Sequence, residues 1–126
     1  MSDQKKARGH HNLLAWQEGL ALVTMVYQRT SNFPKEEIFG LVSQMRRAAV
    51  SIPSNIAEGA ARNGKREFVQ FLGIARGSLS ELETQVIIAS ELGFLAPPTT
   101  DMAEKIDRLF KLINGLIHSL QRDEKT

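Results

Sequence analysis

The 126-residue chain has no cysteine. That excludes disulfides, thiolate metal sites and a cysteine nucleophile, and it makes a reducing cytoplasm the expected compartment. Histidine is scarce, with His10 and His11 side by side near the N-terminus and His118 near the other end. No Glu-x-x-His pair is available for a di-metal carboxylate centre, and no glycine-rich loop is spaced to cradle a phosphate. Ser51 and Ser54 lack a histidine or lysine at a helical step that would activate them. His10 and His11 are expected to be solvated and His118 to face solvent or serve a helix end, and neither catalysis, a metal nor a cofactor is expected. No apolar run approaches the roughly 20 residues that cross a bilayer. The polar N-terminus, with Lys5, Lys6 and Arg8, has no apolar stretch of secretory type behind it. A soluble chain with no membrane partner is expected.

Alternation of the kind that marks a strand is also missing, and helical periodicity takes its place. At 42% apolar residues the chain is sized for one core. Leu13, Trp16, Leu20, Val23 and Tyr27 recur at steps of three and four, which predicts a first helix over residues 13–29 with Asn12 as its N-cap. Pro34 ends that pattern, since the residue before a proline is pushed out of the helical region. A second stripe, Ile38, Leu41, Met45, Ala48, Ile52, Ile56 and Ala60, predicts a helix to about residue 62. Pro53 lies inside it and is expected to kink it or split it, the continuous stripe favouring the kink.

Asn63 and Gly64 supply a turn. A third helix, from about Lys65, carries Phe68, Leu72, Ala75, Leu79, Leu82, Val86, Ala89 and Leu92 on one face and stops at Gly93. Gly73 and Gly77 share a face there. Each costs about 1 kcal/mol relative to alanine, so a close-approaching neighbour is expected against them. After Pro97 and Pro98, Thr99, Thr100 or Asp101 can cap a fourth helix with a heptad-like seam of Met102, Ile106, Leu109, Ile113, Leu116 and Leu120. The predicted fold is all-α, an antiparallel up-down-up-down four-helix bundle over residues 12–121. A flexible polar tail at 1–11 and a frayed end at 122–126 flank it. The second and third helices, at roughly 40 Å, outreach the others at roughly 25–30 Å. Apolar surface is therefore expected at Phe68, Phe71 or the kink, where a second copy would cover it.

Charge is unevenly spread. From residue 46 to 76 stand Arg46, Arg47, Arg62, Lys65, Arg66 and Arg76 against Glu58 and Glu67, a net +4; from 77 to 107 the net is −5. Such a basic stretch suits a polyanion backbone, and its pairing with the acidic stretch would suit self-association. Trp16 and the phenylalanines fit core stripes better than a base-stacking platform, so binding of RNA or DNA would be sequence-independent and salt-dependent. Opposite the apolar stripe of the second helix runs a polar one of Gln44, Arg47, Ser51, Asn55 (or Ser54), Glu58 and Arg62. Ser51, Ser54 and Asn55 are placed to serve backbone groups freed by Pro53, and Glu58 to pair with Arg62 one turn on.

The run Arg46-Arg47-Ala48-Ala49-Val50-Ser51-Ile52-Pro53-Ser54-Asn55-Ile56-Ala57-Glu58-Gly59 resembles the signature of the bacterial four-helix-bundle proteins called ribosomal-RNA intervening-sequence proteins. Phe33-Pro34-Lys35-Glu36-Glu37 before it, Glu67-Phe68 with Phe71-Leu72 after it, then Gly77-Ser78-Leu79-Ser80-Glu81-Leu82-Glu83-Thr84-Gln85 and Leu92-Gly93, agree in order and spacing over residues 13–117. The resemblance implies a kinked antiparallel bundle assembled as a homopentamer. A related branch, the accessory proteins of diversity-generating retroelements, binds nucleic acid and a reverse transcriptase through basic ring surfaces. Two functions follow as expectations. One is a non-enzymatic homo-oligomer binding RNA or DNA backbone through Arg46, Arg47, Arg62, Lys65, Arg66 and Arg76. The other is an oligomeric scaffold whose ligand is a protein partner.

Overall fold

The computed structural model describes residues 9–124. Among them are four α-helices and no strand, α1 (Leu14–Thr30), α2 (Ser43–Ala60), α3 (Lys65–Glu91) and α4 (Thr100–Glu124). They form a four-helix bundle. Gly19 and Thr30 of α1 lie against Pro53 and Arg46 of α2, and Ser51 and Gly59 of α2 against Ser78 and Phe71 of α3, so each pair meets in opposite chain order. Arg76 of α3 reaches Asn114 of α4, and Glu18 of α1 pairs with Lys105 and Arg108, which closes the circuit. Positions 1–8 of the expected tail lie outside the described residues. Gly9–Asn12 forms a 3-10 turn leading into α1, and the expected C-terminal fray begins inside a helix assigned through Glu124.

The core lies one register away from the expected stripe on α1. Ala15, Gly19, Leu22, Val26 and Thr30 are buried, whereas Leu20 and Tyr27 are exposed and Leu13, Trp16 and Val23 only half-buried. Two adjacent stripes of α1 share the same three-and-four spacing. Neighbour distance decides between them: a Cβ built on Gly19 would stand 3.3 Å from the Pro53 ring, a gap that glycine fits and a large side chain at that position would not. The N-cap position is Leu13 and not Asn12, and Leu13 offers no side-chain cap bond.

The second helix is shorter than its periodicity predicts. Lys35–Glu37 forms a 3-10 turn and Ile38–Val42 a π-turn interrupted by Gly40 (φ −113°, ψ −109°), so regular α-helix starts only at Ser43. It then continues through the buried Pro53 without splitting. Met45, Ala48, Ile52 and Ile56 are buried as the stripe predicts, while Ile38 is not. With 27 and 25 residues against 18, the long helices are α3 and α4, not α2 and α3.

In α3, Leu72, Ala75, Leu79, Leu82, Val86 and Ala89 are buried, and Gly93 past its end takes the left-handed φ of +77° that suits glycine. Leu92 is exposed. Gly73 and Gly77 have none of the described residues within 4 Å of a built Cβ, so the expected close neighbour is not among them. That role falls to Gly59, whose built Cβ would meet the Phe71 Cβ at 2.7 Å and a Phe68 ring carbon at 3.0 Å. Phe68 and Phe71 are thereby half-buried, contrary to the exposure expected of them. At the far end Arg29 ties α1 to the α3–α4 loop, donating to the Ala96 and Pro98 carbonyls at 2.6 and 2.8 Å and pairing with Asp101 at 3.2 Å.

Candidate functional site

The six cations of the basic stretch do not converge on one patch. Arg46 turns toward α1, where Nε donates to the Thr30 hydroxyl at 3.0 Å, a terminal nitrogen donates to the Tyr27 carbonyl at 3.3 Å, and the guanidinium lies 4.4 Å from the Tyr27 ring centroid. This charge is consumed in packing. Arg76 faces α4 and donates to Asn114 Oδ1 at 2.9 Å. Arg47 is exposed. Along the helix axis it stands on the order of 20 Å from Arg62 at 1.5 Å per residue.

Arg62, Lys65 and Arg66 do share a location, the turn between α2 and α3, where residues 61–67 are all exposed. Asn63 and Gly64 break the helix there, and Gly64 is the N-cap of α3. Arg62 pairs with Glu58 at 2.8 Å and covers the Phe71 ring at 4.9 Å. Both ends of that ion pair are solvated, so it is worth at most about 1 kcal/mol and yields readily to a competing anion.

The polar seam divides at Pro53. Ser51 and Ser78 hydroxyls meet at 2.8 Å, and Asn55 Nδ2 donates to the Ser51 carbonyl at 2.8 Å and hydroxyl at 2.9 Å. Asn55 thus serves Ser51, not the Ala49 carbonyl that Pro53 leaves without its helical donor. These bonds join α2 to α3. Ser54 belongs elsewhere, beside His10, Trp16 and Leu20 on the α1 side. His10 is half-buried and meets the Trp16 ring edge-on at 5.1 Å, so it is not the solvated tail residue expected; His118 is exposed. Among the described residues no group of three or more His, Cys, Asp or Glu side chains stands ready for a metal ion, and no helix is long and apolar enough to cross a membrane.

One surface concavity was not foreseen. An open groove of about 980 Å³ lies where α1, the π-turn and α2 meet, lined by Tyr27, Ile38, Phe39, Val50 and the stems of Arg46 and Arg47. Phe39 is 97% exposed. Treating the phenylalanines together as core residues missed it, and the signal available was Gly40, which ends helical geometry beside Phe39 and leaves the ring outside the stripe.

The sequence model of one protein family, described as 23S rRNA-intervening sequence protein, matches residues 11–115. The chain belongs to that family. No curated protein matches it by sequence. The matched span takes in the groove, the polar seam and the α2–α3 turn, so every candidate residue of this intervening-sequence protein family member lies inside it.

Proposed function

We propose that this protein is a non-enzymatic homo-oligomer that binds RNA or DNA backbone through the α2–α3 turns of its copies. The observation that carries the reading is the run of exposed residues at 61–67, where Arg62, Lys65 and Arg66 close one end of the bundle. Three cations on one chain neutralise too few phosphates for tight binding, whereas the same turn repeated around an assembly multiplies the contacts. Five copies are the number the family resemblance implies. The family's description, 23S rRNA-intervening sequence protein, adds an RNA context. Arg46, and Arg76 with its bond to Asn114, act chiefly in holding the bundle, and the contact narrows to the turn.

Fluorescence anisotropy with labelled single-stranded RNA across a salt series tests this. Binding at low salt that weakens steeply with added salt and is lost in the variant Arg62→Ala, Lys65→Ala, Arg66→Ala is the expected result. No binding at low salt, or binding indifferent to the triple change, counts against it. A scaffold without nucleic-acid binding is the second reading. It is favoured by the groove around Phe39, an apolar surface that contact with phosphates does not need.

A further inference from the structure

Exposed apolar side chains collect on two sides of the bundle. Tyr27, Ile38, Phe39 and Val50 line the groove where α1, the π-turn and α2 meet. The second set runs along α3. Ile74, Gly77, Glu81, Thr84, Ile88 and Glu91 recur at steps of three and four, which puts them on one stripe, and every one is exposed. α3 therefore carries a buried seam and a second seam that none of the described residues covers.

The two surfaces are opposite in charge. The groove is lined by Lys35 and Arg47, with Arg46 turned aside onto α1, and by no carboxylate among the described residues. Residues 77–92 of α3 hold Glu81, Glu83 and Glu91 with no lysine or arginine. Shape is complementary as well: Phe39 stands out from the surface, and the bare Gly77 leaves the α3 stripe flat beside Ile74. We infer that the Phe39 groove of one copy takes the Ile74–Ile88 stripe of the next, with Lys35 and Arg47 facing Glu81 and Glu91. The contact is head-to-tail. Each copy presents one groove and one stripe on different sides, so association continues from copy to copy and closes into a ring if the rotation allows. It rests on the homo-oligomer reading above and specifies its polarity and its residues. It also gives a role to Gly77, whose bare face meets none of the described residues of its own copy.

Sedimentation velocity on the full chain, with Phe39→Asp breaking the groove and Ile88→Glu breaking the stripe, provides the test. The wild type is expected to be oligomeric at micromolar concentration. Each variant alone is expected to associate at least about 30-fold more weakly, as for loss of an interface anchor. Their equimolar mixture forms a one-to-one complex, because one intact groove meets one intact stripe and neither end can extend. Normal assembly of Ile88→Glu overturns the inference and leaves the homo-oligomer reading standing, as does a mixture that stays monomeric. A monomeric wild type removes both. Should an apolar variant lose its helical circular dichroism, Arg47→Glu and Glu81→Lys, each impaired alone and restored when both changes are made in one chain, decide the same question.

Discussion

Arg46 donates from Nε to the hydroxyl of Thr30 at 3.0 Å, and that hydroxyl donates in turn to the Val26 carbonyl at 2.7 Å. A cation from the basic stretch of α2 thus completes the hydrogen bonding of a threonine buried in α1. Arg46→Ala removes the bond and the stacking on Tyr27, and is expected to lower unfolding free energy by about 1–2 kcal/mol. Arg47→Ala, one residue on and exposed, stays within about 0.5 kcal/mol of the wild type. Urea denaturation of both variants, at a concentration low enough to populate the monomer, separates the structural arginine from the surface one.

Glycines of α2 and α3 respond oppositely to the same substitution. Gly59→Ala drives a methyl toward the Phe71 Cβ at 2.7 Å and the Phe68 carbonyl oxygen at 3.3 Å, neither a flexible chain end, and is expected to cost about 1–3 kcal/mol. Gly77→Ala meets nothing within 4 Å and gains about 0.5–1 kcal/mol of helix propensity. Thermal melts at a concentration low enough to populate the monomer make the comparison. A destabilised Gly77→Ala monomer would show that its face is already packed.

Gln85 is 5% exposed, and its Oε1 is buried without a hydrogen-bond partner, while Nε2 reaches Glu81 only at 3.5 Å. Leaving a buried acceptor unmet costs about 1–3 kcal/mol. Gln85→Met keeps the volume and discards the polar atoms. It is expected to raise stability by about 1 kcal/mol, read from the urea midpoint at unchanged slope.

Periodicity located four helices because each buries a stripe at a 3.6-residue repeat, and it placed α3 and the Met102–Ile113 seam of α4 on the correct faces. It failed where a second physical constraint chose among equivalent patterns. On α1 the approach of Pro53 to Gly19 selected Ala15, Leu22 and Val26 over the larger side chains one position away. Before α2 the break at Gly40 outweighed an unbroken apolar repeat, which is why Phe39 and the groove were invisible to spacing. Charge counting marked the basic stretch but not its orientation. Whether an arginine faces the adjoining helix, as Arg46 does, or solvent, as Arg47 does, depends on a 100° turn between neighbours that composition does not record.

Arg29 makes the densest polar cluster at the other end of the bundle, with two carbonyls and Asp101 converging on one planar guanidinium. Arg29→Lys keeps the charge but offers a single tetrahedral ammonium, which cannot span acceptors from Ala96 to Asp101 at once. A loss of about 1–2 kcal/mol is expected, most of it retained in high salt, because the carbonyl bonds to a side chain only 22% exposed are screened less than the Asp101 pair. Denaturation at low and high ionic strength checks this, and a loss abolished by salt would assign the effect to Asp101 alone.

Salt dependence also separates phosphate contact from assembly. Each phosphate contact to single-stranded RNA contributes about 0.7 to the slope of log K against log salt. Removing Arg62, Lys65 and Arg66 is therefore expected to flatten that slope by about 2 for every copy whose turn touches the strand. Arg47→Ala, placed at the groove rim, leaves the slope per assembled copy unchanged and instead raises the concentration needed for assembly. The two effects are told apart by measuring RNA binding at protein concentrations well above the assembly midpoint. There the turn variant still binds weakly and the Arg47 variant recovers; equal residual defects in both would mean that the RNA contact extends from the turn to Arg47 along α2.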